Sequence, residues 1–575
     1  MLTGCIDDGY DFSNIDTTVE LKAVNLTVPI EFNDIVLNEI IKVNENDTSA
    51  VIQKRLDRNG DSIYVVLKRG NFRATTPEIR TLFCNDPEEQ PQTHSVTLPF
   101  AGAADTPGSV KYQISEIATS FSYEMDDIDD AVTYLNQISF TRDEAMVWRL
   151  RVDVVPTDVN RFSKVAVSGL KVQLPEGFTG WYDNGNYITD SEGVLTIPEF
   201  NLEYGRQWHG TIEVKVMEVS FDPAIDLTET HSVEINDIVK VVGGDIVGTL
   251  ADPEATADPS VTFSVGYTLF GFRVEEIRGT VEYNLENPHV EDADLSGLPD
   301  ILAGNGTKIM LSNPQLYLTV NNPVGHYDLG CDMGLTLTAK RDNSPEQDFI
   351  LPQPIYIGHD HYNQQYKFVI APNPEEKGEP GYEDAENIVF EDLANVLTGD
   401  GLPKKIAVTL ASPAQPEIAV KGLANHFKLG SKIDDITGSY IVYTELALGQ
   451  GTQIEYRTDV TGWSGPDVDA ITVNELNVTA HIDNGVKVGV DLTVVPIDKA
   501  GNEIPVNEPA KVTVEASSAT DITTTLRGNI TGLDGIRLKA IINQPMPAEE
   551  PLRPNQTIRV SNLRATVSGN YTKKL

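Results

Sequence analysis

From Val19 onward the chain is dominated by short runs in which apolar and polar residues alternate. The stretches 19–24, 62–67, 148–154, 210–216 and 490–495 all follow a period of two. Successive side chains of a strand point to opposite faces, so this period marks strands with one face buried. β-branched and aromatic residues are frequent in the runs, and Gly, Pro, Asn and Asp separate them, as strand and turn geometry favours. Strands recurring roughly every dozen residues over such a length predict a mainly β protein of elongated tandem β-sandwich domains, immunoglobulin-like or related. A few short helices are expected among them. One is 126–135, which opens on acidic residues as a helix N-terminus prefers.

Two further helices belong to an internal repeat. Leu298-Pro299-Asp300-Ile301-Leu302-Ala303-Gly304-Asn305-Gly306 aligns without a gap to Leu393-Ala394-Asn395-Val396-Leu397-Thr398-Gly399-Asp400-Gly401. Each reads as a short helix closed by glycine and leads into a strand, at Lys308 and Lys405. A second pair, 271–279 and 430–438, keeps its glycines, apolar residues and acidic pair at identical spacing. A third theme is a strand ending in an Asn turn, at Asn321-Asn322-Pro323, Asp483-Asn484-Gly485 and Asn543-Gln544-Pro545. Separations of roughly 100 to 160 residues indicate duplicated domains rather than a solenoid of short units. The second motif precedes the first in one half and follows it in the other, which suggests permuted or interleaved β domains.

Turn-rich and charged stretches place the domain cuts near 104–108, 221–223, 372–380 and 462–466. The segments expected are a tether, 1–18; β domains at 19–105, 106–222, 223–375 and 376–465; and a C-terminal sandwich, 466–575. The proline-rich, charged stretch 372–380 is the best linker or long loop. A chain of 575 residues is too long for a single core.

Charge narrows the partners. The chain has 86 acidic residues against 43 basic ones, a net −43. Nucleic-acid binding rests on a basic surface, so that partner is excluded. No run reaches the ~20 apolar residues of a membrane-spanning helix. Of the three cysteines, Cys84 and Cys331 read as buried small hydrophobes, since two thiols so far apart make a poor disulfide framework.

The third, Cys5, has another context. Leu2-Thr3-Gly4-Cys5 resembles the lipobox of bacterial lipoproteins, and the Ile6-Asp7-Asp8-Gly9-Tyr10-Asp11 that follows resembles the acidic export signal of surface-exposed lipoproteins of Bacteroidota. The basic and apolar stretch that precedes a lipobox in such signals is not in this chain, so either the start was trimmed or the match is accidental. The resemblance implies lipidation of Cys5, anchoring in the outer membrane and exposure at the cell surface. It also implies possible partnership with an outer-membrane transporter or other surface lipoproteins. The Asn-turn hairpins faintly resemble the β-sandwich of late-embryogenesis-abundant, water-stress proteins, which bears on fold alone.

Catalytic signatures are missing: there is no Gly-rich phosphate cradle, HExxH or GxSxG. His359-Asp360-His361 lacks a third ligand in sequence, so no metal and no cofactor are expected. Asp57-Arg58-Asn59-Gly60-Asp61 and Asp498-Lys499-Ala500-Gly501-Asn502-Glu503 space oxygens as calcium loops do, but read better as hairpin turns. The most informative feature is aromatic. Trp181, Tyr182 and Tyr187 share a polar, glycine-bearing stretch, and Tyr204 and Trp208 follow closely. Sugars stack their C–H faces on such rings, while Asp, Asn and Arg hold hydroxyls; equally, both tryptophans could plug one sandwich core. The expected function is non-catalytic: capture of a ligand, a glycan above all, or service as an accessory subunit of an uptake complex. The alternatives are a structural, adhesin or assembly component of the cell surface, and a glycoside hydrolase.

Overall fold

The computed structural model describes residues 18–574 apart from 45–46, 58, 88–91, 142–143, 304–306, 343, 361–362, 466–470 and 544–549. Cys5 and its tether lie outside the described residues. The fold is mainly β, built as packed antiparallel sheets in tandem sandwiches, and all five stretches singled out for alternation lie in strands. Ile117–Met125 shows the rule at its plainest, with Ile117, Thr119, Phe121, Tyr123 and Met125 buried and the residues between them exposed. Among the described residues, no helix is long and apolar enough to cross a membrane.

The first sandwich is closed by His94–Ala103, a corner strand. Its first half pairs with Ser260–Leu269 and its second with Ser109–Gln113, joining two layers. Between the layers lies an aromatic core. Trp148 is fully buried, donates its indole N–H to the Tyr123 hydroxyl at 3.2 Å, and packs on Phe121 at 5.0 Å and Phe178 at 5.8 Å.

The middle of the molecule pairs distant segments. Ser62–Thr75 runs antiparallel to Ile436–Glu445, which pairs in turn with Gln315–Asn321 and, through it, with Tyr366–Ala371. Tyr366–Ala371 and Glu386–Val389 form a parallel pair. The charged stretch between these two strands is docked: Tyr317 Oη accepts hydrogen bonds from the Gly378 and Glu379 amides at 2.6 and 2.9 Å. It is a loop bound to its sheet, not a linker.

In the last sandwich one sheet runs Thr18–Pro29, Thr557–Lys574, Ile471–Asn484, Ser518–Ile530. The facing sheet contains Gln453–Val460, Leu533–Asn543, Val490–Asp498 and Ala510–Val514. The first described strand therefore lies against the last. The stretch 19–105 contributes strands to four sheets, and 221–223 lies at a register shift inside Trp208–Asp226.

The repeated motifs turn out to be neighbours in space. Lys308 and Ile309 pair with Asp400 and Gly399, and the Gly401 amide donates to Thr307 O at 2.7 Å. In the second pair, Leu429 N–H donates to Glu275 O at 2.8 Å and Glu276 pairs with Lys428. Both repeat helices exist as single turns, Asp300–Ala303 and Leu393–Val396. The helix expected at 126–135 does not form. Asp127 has φ 56°, Ile128 is buried, and the chain enters the strand Val132–Ser139. The Asp129 carboxylate accepts the Arg80 and Ala131 amides in a turn, and β-branched Val132 and Thr133 favour the strand that follows.

Candidate ligand-binding surfaces

The five predicted aromatic residues lie along Trp208–Asp226 but do not form one platform. Tyr204 pairs with Trp208 at the start of that strand, their rings 5.0 Å apart. Trp181 pairs with Lys215, seven residues further on and so roughly 23 Å away at ~3.3 Å per residue. The two tryptophans are also hidden, at 4% and 6% exposure. Trp208 joins the hydrophobic core, and the Lys215 ammonium covers Trp181, 5.3 Å from the ring centre. Tyr182 packs against the core and meets Tyr187 at 6.2 Å across a short hairpin. Tyr187 and Tyr204, at 38% and 54% exposure, are the two rings that face solvent.

The calcium-like loops are turns. In 57–61 and 498–502 the leading Asp accepts two backbone amides through one carboxylate oxygen, and a glycine with φ near +80° closes the turn. Asp190 builds the same turn in 190–194. Arg553 also binds Asp57 and Asp61. Cys84 and Cys331 are free and buried, and burial pushes their thiols up, to about 11 and about 12. His359 lies 3.8 Å from Asp328, and His361 lies outside the described residues. Among the described residues no cluster of three His, Cys, Asp or Glu side chains could hold a metal.

A different aromatic residue presides over a groove. Tyr356, at 55% exposure, sits on the short edge strand Ile355–Ile357, which pairs with Gly330–Met333. Its ring crosses Gly330, where any β-carbon would come within 2.6 Å of the Tyr356 hydroxyl. Beside it opens a groove of about 630 Å³, lined by Asp360, Gln364, Gln365, Tyr366, Glu383, Asp384 and Glu386 among others. Tyr366 donates its hydroxyl to Asp360 at 2.8 Å. Lys367 is committed to the Gly381 carbonyl at 2.7 Å and lies over Tyr382. The Gly381 amide donates to Glu383 and holds its carboxyl below the usual range, so it is charged at neutral pH.

The groove is positioned from within. Buried Asn322 donates its side-chain amide to Leu329 O at 3.1 Å and to Gly358 O at 2.9 Å, fixing the turn beside Tyr356. Asn484 does the same in the last sandwich, reaching Val488 O and Glu515 O. The strand-Asn motif was visible in sequence; its service to a groove was not. The groove draws on three stretches, 356–360, 364–368 and 381–386, which share no compact motif, and an isolated tyrosine carries no signal on its own.

A second, larger cleft of about 1290 Å³ lies where segment 31–42 faces the strand Gln453–Val460. Its walls are mixed polar and apolar, with Glu31, Asp34, Glu39, Glu455 and Asp459 outnumbering Lys42 and Arg457.

No family model matches the chain, and no curated protein is similar to it in sequence. Among solved structures it is similar to a "putative secreted protein from Parabacteroides distasonis ATCC 8503", at 14% identity and a TM-score of 0.37, over 51% of this chain and 90% of that one.

Proposed function

We propose that this protein is a non-catalytic binding protein of the cell surface that captures a neutral polysaccharide in the groove beside Tyr356. The observation that carries this reading is an exposed tyrosine face beside a trough of carboxyl groups and primary amides. Polarised sugar C–H groups favour the negative face of a ring. Carboxylates and amides accept and donate to hydroxyls. With four carboxylates in the walls and Lys367 already engaged, sulfated and uronate polymers are repelled. The tether supplies the setting: lipid on Cys5 would hold the chain in the outer membrane, beside a transporter or other surface lipoproteins.

Two observations favour this over the alternatives. A glycosidase acid needs a raised pKa, whereas Glu383 is displaced downward. Glu275 is raised, by burial first and then by the Glu144 carboxyl, but it does not line the groove. An assembly subunit that adds strands needs an inviting edge; the outer strand Ser344–Ile350 instead exposes Pro345, Glu346, Gln347 and Asp348, which blunt such pairing.

Glycan-array and calorimetric titration test the reading. Tyr356→Ala abolishes binding of a neutral glycan at least tenfold, while Trp181→Ala and Trp208→Ala leave it unchanged if they fold. Equal affinity of wild type and Tyr356→Ala excludes the groove. Radiolabelled palmitate incorporation lost in Cys5→Ala tests the anchor.

A further inference from the structure

The last sandwich is incompletely filled, and its voids lie against the large cleft. Two apolar cavities, of about 20 and 50 Å³, sit between its sheets with almost no polar lining. Small residues leave the space. Ala480 from one sheet and Ala540 from the other line the smaller cavity, and Ala540 lines both. Ala540 stands in the centre of its sheet, between Tyr456 and Leu492.

Both cavities share walls with the cleft. Ile35 and Tyr456 line all three spaces, so these two side chains separate the cleft from the voids behind them. The reason lies in the sheet edges. Gln453–Val460 pairs with Leu533–Asn543 along its whole length, but on its other side it meets Lys308–Ile309 only through Gln453. Segment 31–42 spans the remaining gap, attached where Ile35 and Val36 pair with Ile558 and Thr557. Its apolar residues turn in and its acids turn out.

We propose that this is a binding site for a small amphiphile, separate from the groove beside Tyr356 and independent of its function. A short aliphatic end enters behind Ile35 and Tyr456, and an uncharged or cationic head rests in the cleft. Size sets the tail. A void of about 50 Å³ is a third of the ~150 Å³ that takes the six carbons of a benzene ring, so it fits roughly two carbons, or about three with the 20 Å³ void beside it. Charge sets the head. Asp34, Glu455 and Asp459 are each paired with an arginine, Arg559, Arg457 and Arg537. Glu31 and Glu39 have no ion pair among the described residues and outnumber Lys42, the one lining cation not engaged with these acids, so the mouth stays negative.

The test titrates the full chain with alkyltrimethylammonium ions from methyl to hexyl, with the matching primary alcohols, and with the matching alkanoates. Binding is followed by calorimetry and by methyl NMR of the isoleucines. Affinity should rise roughly fourfold per added carbon, the factor expected for each buried methylene, and level off near propyl. Butanoate should bind at least tenfold more weakly than butyltrimethylammonium. Ala540→Leu should remove the chain-length dependence while tetramethylammonium still binds; Ala540→Val gives the same readout in a milder form should the larger side chain prevent folding. Affinity independent of tail length, or an unchanged butyl titration in either variant, overturns the proposal.

Discussion

The first and last sandwiches use the same architecture and fill it in opposite ways. In the first, rings from several strands meet: Phe121, Tyr123, Trp148, Phe178 and Phe272 form a chain of contacts 5.0 to 6.1 Å apart. In the last, Val, Ile, Leu and two alanines face each other, and cavities remain. Interiors normally approach crystal packing density, so residual space in a sandwich is a departure that needs a cause. The difference follows from closure. A corner strand joins the two layers of the first sandwich by backbone pairing. The last has an open flank that a segment without continuous pairing must plug.

Truncating one core residue in each sandwich tests that contrast. Trp148→Ala removes a fully buried indole and leaves the Tyr123 hydroxyl without its donor, so it should cost ~3–5 kcal/mol. Denaturant unfolding followed by circular dichroism measures it. A loss below 1 kcal/mol would mean that the aromatic chain is not what holds the first sandwich together. Ile522→Ala, in the wall of the smaller cavity, should cost less, ~2–3 kcal/mol, because atoms beside an existing void give up fewer contacts. If it costs as much as the tryptophan, the last sandwich is packed as tightly as the first.

Much of this contrast could be read in the sequence, and the unread part has a common cause. Alternation identified the strands because burial of one face imposes a period of two on each strand alone. The Asn-turn strands and the repeats were visible for the same reason: each is local. Pairing is not local. Nothing in 18–29 says that it lies against 564–574, and nothing in 271–279 says that it touches the turn around Leu429. The aromatic set misled in a specific way. Trp181 and Trp208 are close in sequence, but on one long strand Trp208 and Lys215, the partner of Trp181, stand seven residues apart. Tyr356 stayed hidden because its value comes from Gly330 across the sheet and from a turn fixed by Asn322. The segment 126–135 failed as a helix because Asp129 serves a turn, accepting the Ala131 amide within the loop and the Arg80 amide of a distant segment.

The smallest effect separates a void that is merely unfilled from one that is held open. At ~24 cal/mol per Å³, the larger cavity is worth about 1 kcal/mol of lost packing. Ala540→Val places two methyl groups against it, on a central strand where a β-branched residue is at home. If the space is simply unfilled, the variant gains ~0.5–1 kcal/mol and melts a few degrees higher. If Ile35 and Tyr456 already lean into the void on the time average, the added methyls meet them, and overpacking lowers the melting temperature instead. Differential scanning calorimetry reads the sign directly. A gain in stability together with a lost butyl titration means that the sandwich forgoes packing where it receives a ligand. A gain with the titration intact overturns the proposed site, since the tail then does not occupy the void.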